Sequence, residues 1–333
     1  MTILTWRDRS DTWFNFAAWN PLFVPGAGDD AIINTTTATA AAAISAQSIA
    51  IGSMATLALR NAGAGSSVGS LGNGGSLFVD GFNSDGGSQL SIGGILTNSG
   101  TLAIGNSGLS GSDSVTANSL VNSGAIDLTG NGGNVARLAV NGLLTDSGNI
   151  TVHAGGLLNA NASIVLKASA NVTALAGGTF ATTANTYIYK ADAGTAVINT
   201  VGQLFEVKGR IVVTAGALKF TGAAGVFESE LTGSGLIEGE TTGVDANGNQ
   251  TITATGLAGP GGIHTFHFYR TDLSLAYTDV VASDGSHTYT SGSGGNTIYG
   301  TGGNDSLVAG TGNDVLYGLG GDDPLIGGSG FQQ

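Results

Sequence analysis

A repeat of 24 residues in the middle of the chain constrains the fold more than any other feature. Three turn triplets, which begin at Asn98, Asn122 and Asp146 and end in Ser-Gly, lie 24 residues apart. A period of roughly 20–50 residues is typical of a stacked repeat, and short alternating segments between Gly, Asn and Ser turns indicate strands. The sequence therefore predicts an all-β chain whose main part is a parallel β-helix, or solenoid. Three aliphatic columns keep the same spacing: Leu96, Leu120 and Leu144; Leu102, Ile126 and Ile150; Ile104, Leu128 and Val152.

The register of this repeat loosens on both sides, as expected when loops of different length join the strands. The segment "NGGSLFVDG" at Asn73 fits with a step one residue longer than the regular one. The segment "ANVTALAGG" at Ala170 fits with a step two residues shorter. If residues 31–290 all coil at 24 residues per rung, these 260 residues give 260/24, or nearly eleven, rungs. We therefore predict a parallel β-helix of about eleven rungs over residues 31–290.

The first thirty residues are predicted to cover the open end of this solenoid. All three tryptophans of the chain, Trp6, Trp13 and Trp19, lie in the first nineteen residues. Because an open end exposes unpaired backbone groups, residues 1–30 are interpreted as an aromatic N-terminal cap. A platform on which a sugar ring stacks is the alternative. The tryptophans and the segment "NPLFVPGAGDDAII" resemble the segments that open rungs in bacterial surface solenoids, such as autotransporter passengers and haemagglutinin-like adhesins.

The C-terminal end carries a second, shorter repeat. Counting in nines from Ser291 gives SGSGGNTIY, GTGGNDSLV, AGTGNDVLY and GLGGDDPLI. Glycines allow tight turns that leave carbonyl oxygens open, and an Asp at position six adds an anionic oxygen. Calcium takes roughly six to eight such oxygens, and the aliphatic residue at position eight is expected to point inward. Position six holds Asn296, Asp305, Asp314, Asp323 and Gln332, and position eight holds Ile298, Leu307, Leu316 and Leu325.

These nonapeptides resemble the hemolysin-type calcium-binding repeat of bacterial RTX proteins, G-G-x-G-x-D-x-U-x. The resemblance implies that residues 291–333 form a short parallel β-roll that binds Ca2+. It also implies export, since RTX proteins leave Gram-negative bacteria by type I secretion and fold when they meet external calcium. A ladder of Gly and Asn turns without metal is the alternative. The predicted calcium ligands are Asp305, Asp323, Asp314, Asn296, Gly300, Gly302, Gly318 and Gly320.

Two nonapeptides are expected to make one full coil, so that each ligand stacks on its equivalent two nonapeptides later. Only one of the resulting pairs, Asp305 with Asp323, has two carboxylates, which predicts one good calcium site, one weaker site and a poorer third. Pro324 departs from the pattern, because it takes position seven, where a strand begins, and fits only at a sheet edge. The other two pairs are Asn296 with Asp314 and Asp314 with Gln332.

The charge of the chain argues against several classes of partner. A net charge of −13 and a pI near 4.3 argue against nucleic acid and anionic membranes. Residues 31–59 carry no charge, yet they are rich in Thr, Ser, Asn and Gln and alternate as strands do, so no transmembrane segment is predicted. No signal peptide is visible at the N-terminus. With the RTX resemblance, we expect a secreted protein, extracellular or at the surface of a Gram-negative bacterium.

No catalytic set stands out in the sequence. There is no His-Glu-x-x-His motif, and the Gly-x-Ser-x-Gly match at residues 65–69 is expected by accident in so Gly- and Ser-rich a chain. Charged residues within 206–240 fit either acid/base work on a polysaccharide or a solvated face with cross-strand ion pairs. We predict that the protein is not an enzyme, with a polysaccharide lyase or epimerase as the alternative. The charged residues are Glu206, Lys208, Arg210, Glu228, Glu230, Glu238 and Glu240.

Together these features predict a secreted calcium-binding β-solenoid that serves as an adhesin or as a structural protein of the cell surface or biofilm matrix. Its expected partners are calcium and either a cell-surface or matrix polysaccharide or other copies of the chain. An ice-binding solenoid would need Thr-x-Thr ladders at the rung spacing, whereas the Thr clusters at 35–37 and 251–255 stand isolated.

Overall fold

Short strands joined by turns form nearly all of the regular structure in the computed structural model of the protein, as predicted for an all-β chain. The structure describes residues 2–183, 186–200, 210–213, 215–221, 237–238, 241–244, 250–254, 264–269, 275–281 and 286–330. Among these residues the one helix is a 3-10 turn, Phe16–Ala18, and no helix has the length and apolarity needed to cross a bilayer. Two compact units are present: Met1–Val165 with Ala170–Thr182, and Leu166–Ser169 with Thr183–Gln333.

The strands are short, and most have two to six residues. The first eighteen are β1 (Ile3–Trp6), β2 (Asp11–Thr12), β3 (Trp19–Asn20), β4 (Asp30–Ala40), β5 (Ser45–Leu59), β6 (Ser66–Asn73), β7 (Ser76–Val79), β8 (Gln89–Asn98), β9 (Thr101–Ile104), β10 (Asp113–Asn122), β11 (Ala125–Leu128), β12 (Ala136–Val140), β13 (Leu144–Asp146), β14 (Asn149–Val152), β15 (Gly156–Ala160), β16 (Ile164–Leu166), β17 (Asn171–Ala174) and β18 (Thr179–Thr182). The others are β19 (Tyr187–Lys190), β20 (Thr195–Thr200), β21 (Arg210–Val213), β22 (Gly216–Thr221), β23 (Ile237–Glu238), β24 (Thr241–Val244), β25 (Gln250–Ala254), β26 (His264–Tyr269), β27 (Leu275–Val281), β28 (His287–Ser291), β29 (Thr297–Tyr299), β30 (Ser306–Val308), β31 (Val315–Tyr317) and β32 (Leu325–Ile326).

Parallel stacking of equivalent strands builds the first unit into a β-solenoid. Leu120 pairs with Leu96 on one side and with Leu144 on the other, and none of the three is more than 1 % exposed. The aliphatic columns predicted from the regular repeat are therefore confirmed as the core. The other two columns pair in the same way: Leu102, Ile126 and Ile150; Ile104, Leu128 and Val152.

The loosened steps on either side of the regular repeat are confirmed as well. Leu77 pairs with Leu102, a step one residue longer than the regular one, and Ile150 pairs with Val172, a step two residues shorter. Tight approach between rungs explains the glycine in the turn triplets. A Cβ on Gly124 would lie 2.1 Å from the carbonyl oxygen of Gly100, so a side chain there would push the rungs apart.

A line of buried polar side chains runs beside the aliphatic columns. The Nδ2 of Asn73 donates to Oδ1 of Asn98 at 2.7 Å, and Asn98 donates to Asn122 at 2.8 Å. Asn122 in turn donates to Oδ1 of Asp146 at 2.7 Å. All four side chains are 2 % exposed or less, so the ladder pairs amide and carboxylate groups that water does not reach, while Oδ1 of Asn73 and Oδ2 of Asp146 have no partner in the described part of the chain.

The N-terminal residues pair with the first long strand and enclose the three indoles. β1 and β2 both pair parallel with β4, while β1 also pairs antiparallel with β3. Trp19 makes edge-to-face contacts with Trp6 and Trp13, at centroid distances of 4.8 and 4.9 Å. None of the three is more than 2 % exposed. This burial excludes the tryptophans as a platform for a sugar ring and fits the capping interpretation.

In the second unit, strand pairing changes along the chain. β19 pairs parallel with β21, and β20 with β22, like the rungs of the first unit. β24 and β25 are antiparallel, and so are β26, β27 and β28, in place of the parallel rungs predicted up to residue 290. Only five residues, 270–274, separate β26 from β27, and short connections join antiparallel strands, whereas a parallel crossover takes about a dozen or more. The number of rungs and the domain boundaries stay predictions.

Candidate calcium-binding coil

Residues 291–330, the nonapeptide coil, are built on two short parallel ladders. One contains β28, β30 and β32, and the other contains β29 and β31. Leu307 pairs with Tyr289 and Leu325, and Ile298 pairs with Leu316. Every one of these steps equals two nonapeptides, so two nonapeptides make one coil, as predicted.

The aliphatic residues of position eight form the core of the coil. Ile298, Leu307 and Leu316 are 2 %, 0 % and 8 % exposed, whereas Leu325 is 52 % exposed. Leu325 lies in β32, the edge strand of its sheet, where no further described strand covers it. Pro324 directly precedes this edge strand, and its carbonyl accepts the N–H of Leu307 at 3.0 Å. The expectation that Pro324 fits only at an edge is therefore met.

Glycines bring the backbones of stacked loops together around the carboxylates. A Cβ on Gly300 would lie 2.6 Å from the carbonyl oxygen of Gly318 and 2.9 Å from Oδ2 of Asp305. A Cβ on Gly318 would lie 2.5 Å from Oδ2 of Asp323. Because no side chain fits at either position, carbonyl and carboxylate oxygens can share one small volume. Gly302 and Gly320 also stack on each other, but neither has a carboxylate among its nearest atoms.

Asp305 lies between the coil before it and the coil after it. Its Oδ1 accepts the backbone N–H of His287 at 3.1 Å, and its Oδ2 accepts from the backbone and hydroxyl of Thr301. The backbone N–H of Asp305 donates to Oδ1 of Asp323 at 2.9 Å. The structure therefore brings together the one pair predicted to hold two carboxylates.

Asp314 repeats this arrangement on the other ladder. Its Oδ1 accepts the backbone N–H of Asn296 and the hydroxyl of Ser291, both at 2.9 Å, and its Oδ2 accepts the N–H of Gly310 at 3.1 Å. Asn296 and Asp314 are thus brought together as predicted. Gln332, the expected partner of Asp314 in the third pair, lies outside the described residues, so that pair stays a prediction.

The coil buries negative charge, and its own sequence has no lysine or arginine to balance it. Asp305 and Asp314 are each 1 % exposed, and no Lys or Arg follows Arg270 in the sequence. A buried carboxylate is costly unless a counter-charge accompanies it, so this donor set fits a bound cation. Within the described ranges no three His, Cys, Asp or Glu side chains converge on one point. An ion held here must therefore take further oxygens from backbone carbonyls, which suits calcium.

Comparison with known proteins agrees with this chemistry. Residues 290–325 match the RTX calcium-binding nonapeptide repeat, in four copies. The C-terminal coil is an RTX repeat. No curated protein and no solved structure shows significant similarity to the chain. RTX repeats bind calcium and are typical of secreted proteins, so calcium is the expected ligand of this chain.

The RTX coil offers two stacked pairs of loops that could hold calcium. Loop 300–305 stacks on loop 318–323, with Asp305 and Asp323, and loop 291–296 stacks on loop 309–314, with Asn296 and Asp314. When bound, calcium supplies the positive charge that the paired carboxylates lack. The chain's own contribution is to orient each carboxylate in the folded coil by backbone N–H groups from two coils.

A buried charge pair next to the first coil was missed by the sequence analysis. His287 stands nine residues before Asn296, at position six of a preceding nonapeptide, and its backbone N–H contacts Asp305 as the other position-six residues contact theirs. Its Nδ1 lies 3.0 Å from Oδ2 of Asp279, which is 0 % exposed. The nine-residue spacing was the available signal, but a His in place of the Asp hid it.

The two members of this pair shift each other's titration. Burial raises the pKa of Asp279 above its usual range, against the opposing effect of His287. Burial alone would lower the pKa of His287, but its hydrogen bond to Asp279 and the charges of Asp279 and Asp305 raise it overall. The neighbouring carboxylates therefore favour the protonated form of His287 at the point where the RTX coil begins.

The proposed polysaccharide site receives no structural description. Most charged residues of 206–240 lie outside the described residues, and for Arg210 and Glu238 only the backbone of a strand is described. The choice between a solvated face and a catalytic one therefore rests on the sequence alone.

Proposed function

We propose that the chain is an extracellular calcium-stabilised solenoid that acts as an adhesin or as a structural component of the cell surface or matrix, and not as an enzyme. One observation carries this proposal. Two carboxylates of the RTX coil, Asp305 and Asp314, are buried in a segment that has no Lys or Arg. Such a coil needs a cation to be stable, and calcium-rich surroundings are found outside the cell.

The same observation supports folding after export. Without calcium, carboxylates at adjacent coils repel each other and are costly to bury, so the coil stays loose in a calcium-poor cytosol. Extracellular calcium modules bind at roughly 10⁻⁴ to 10⁻³ M, which matches external fluids and not the cytosol. Type I secretion of an unfolded chain is consistent with this behaviour and forms part of the proposal.

A role in adhesion or in a matrix is supported by the make-up of the solenoid. Only 10 % of the residues are charged, and stacked rungs present columns of Ser, Thr and Asn side chains outward, such as Ser67, Ser91 and Thr116. Uncharged hydroxyl and amide groups hydrogen bond to polysaccharide or to a second copy of the same surface. The proposed partners are therefore a cell-surface or matrix polysaccharide and other copies of the chain.

A calcium titration of two matched variants tests the proposal. Asp305→Asn removes a buried position-six carboxylate, whereas Asp322→Asn removes an exposed carboxylate from the same coil, at position five. We expect Asp305→Asn to weaken calcium affinity on the order of tenfold or more, as followed by circular dichroism and calorimetry. Asp322→Asn should leave the affinity within about twofold of the parent chain.

Two results would contradict the proposal. Equal calcium affinities of the two variants would show that the carboxylates of position six do not hold the ion. Release of unsaturated uronates from bacterial or algal polysaccharide, abolished in Glu230→Gln, would replace the structural role by a lyase activity.

A further inference from the structure

Three carboxylates are buried where the loop after β7 meets the start of β10, far in sequence from the RTX coil. Asp80, Asp85 and Asp113 are 0 %, 3 % and 1 % exposed. One cation accompanies them: Arg60, whose guanidinium donates to both oxygens of Asp85, at 2.7 and 3.2 Å. This ion pair balances Asp85 and leaves Asp80 and Asp113 without a cationic partner among the described residues.

The Asp80 carboxylate is fully engaged with backbone donors. Its Oδ1 accepts the N–H of Asn61 at 2.5 Å, and its Oδ2 accepts the N–H of Ser88 at 2.8 Å. The backbone of Asp80 is in the left-handed region, with φ of 52°, a conformation that costs energy for a residue other than Gly. The chain thus holds this carboxylate in place at some cost, and both of its oxygens serve as acceptors.

The Asp113 carboxylate differs from that of Asp80 in the hydrogen bonding of one oxygen atom. Its Oδ1 accepts the N–H of Gly87 at 2.7 Å and shares the N–H of Ser88 with Asp80, at 3.1 Å. Its Oδ2 is buried and has no hydrogen-bond partner in the described part of the chain. A buried, unsatisfied carboxylate oxygen beside a second carboxylate is costly unless a proton or a cation lies between them.

We propose that Asp80 and Asp113 form a carboxyl pair that holds one shared proton, carried on Oδ2 of Asp113 and donated to Asp80. The proton satisfies the one atom that lacks a donor, and it removes one of two adjacent buried charges. Asp80 is the acceptor because both of its oxygens already receive N–H groups, whereas Oδ2 of Asp113 receives none. This pair is independent of the RTX coil and of the proposed function.

The electrostatics of the site support this assignment. Burial, together with the hydrogen bond and charge of Asp80, raises the pKa of Asp113 to about 8. The charged groups on the elements packed around the pair are Arg60 and Asp85, which neutralise each other, and Arg137 on β12, which is exposed. Both carboxylates accept the N–H of Ser88, and a bridging calcium ion would need several further oxygens at roughly 2.3–2.6 Å, whereas the third carboxylate, Asp85, is already paired with Arg60.

The pair makes the stability of the solenoid depend on pH in a defined direction. The folded-state pKa of Asp113 lies above the unfolded value, so the folded chain binds the proton more tightly. Its contribution to stability is fully present below about pH 4 and is lost as pH rises toward about 8. The free energy of unfolding of the solenoid therefore falls as the pH rises. A carboxylate paired with a cation has the opposite effect, because its stabilising contribution is lost as the pH falls.

Thermal unfolding of the full chain in saturating calcium tests the proposal. Asp113→Asn places an amide NH2 where Oδ2 lies, and this group donates to Asp80 at every pH. We expect the melting temperature of the parent chain to fall by about 5 °C or more between pH 6 and pH 9, and that of Asp113→Asn to fall much less. Asp322→Asn, the same change at an exposed carboxylate of the RTX coil, should keep the parent's pH dependence.

Asp80→Asn distinguishes the acceptor of the shared proton from its carrier. The amide NH2 of the asparagine would face the N–H group of Asn61 or of Ser88, and two donors repel each other. We expect Asp80→Asn to be less stable than the parent at every pH. A readout independent of stability is the infrared absorption of a protonated carboxyl group at pH 7, present in the parent and lost in Asp113→Asn. The proposal is overturned if this band is missing in the parent, or if the parent binds one more calcium than Asp113→Asn.

Discussion

Asn122 shows how much one buried polar side chain can contribute to the stability of a solenoid. It accepts from Asn98 and donates to Asp146, and all three side chains are 1 % exposed or less. We expect Asn122→Ala to lower the free energy of unfolding by about 2–4 kcal/mol, because it removes one hydrogen bond from each of two buried polar partners and leaves a cavity. Urea unfolding measures this difference. Asn149→Ala, on the exposed side of β14, is the control and should change stability by about 0.5 kcal/mol or less.

The residues of this ladder are visible in the sequence, but their role is not. Asn98, Asn122 and Asp146 open the turn triplets, and Asn, Asp, Ser and Gly favour turns, so the sequence indicates turn residues there. Their side chains instead point inward and hydrogen bond from rung to rung. Burial also raises the pKa of Asp146 to about 6, against the hydrogen bonds from Asn122 and Gly148. Sequence spacing gives the position of a residue in a rung, but not whether a polar side chain is buried.

At the scale of single elements, the predicted N-terminal cap, residues 1–30, combines strand pairing with aromatic packing. Trp19 is 0 % exposed, contacts both other indoles, and donates from Nε1 to the carbonyl of Trp13 at 2.8 Å. We expect Trp19→Ala to cost about 3–5 kcal/mol, since it opens a large cavity between the other two indoles. Phe16→Ala removes an aromatic ring that is 59 % exposed and should cost little. Thermal unfolding measures both changes. A similar loss of stability in Trp19→Ala and Phe16→Ala would mean that the indole cluster does not stabilise the predicted cap.

Elements with a strict period were predictable, and elements without one were not. The columns through Leu120 followed from spacing, because each rung must repeat the strand before it, and the two-nonapeptide step of the coil followed from the resemblance to RTX repeats. The strands β26 to β28 alternate like solenoid strands but pair antiparallel. Alternation indicates a strand without specifying its partner, and the short connection after Tyr269 decides the pairing. The pair of His287 with Asp279 depends on that same antiparallel pairing, so it could not be foreseen.

The carboxyl groups show which functional sites can be predicted from the sequence and which cannot. Asp305, Asp314 and Asp323 were predictable because calcium ligands recur at a fixed step. Asp80 and Asp113 belong to no repeat, and they meet only because loops of different length bring them to the N–H of Ser88. Sites that use the periodicity of a solenoid can be predicted from its sequence, whereas sites formed by loop insertions need the structure.

At the scale of the whole molecule, the predicted calcium sites and the tryptophans lie in different units. All three tryptophans lie in the first unit, within Met1–Val165, and the RTX coil lies in the second. We expect a calcium chelator to reduce the β-sheet signal in far-ultraviolet circular dichroism while tryptophan emission stays unchanged. The reason is that the charge of the RTX coil needs the ion, whereas the core around the indoles is apolar and needs none. Restoring calcium should return the lost signal. A red shift of tryptophan emission in chelator would show instead that calcium stabilises the first unit as well, and the two units would then have to unfold together.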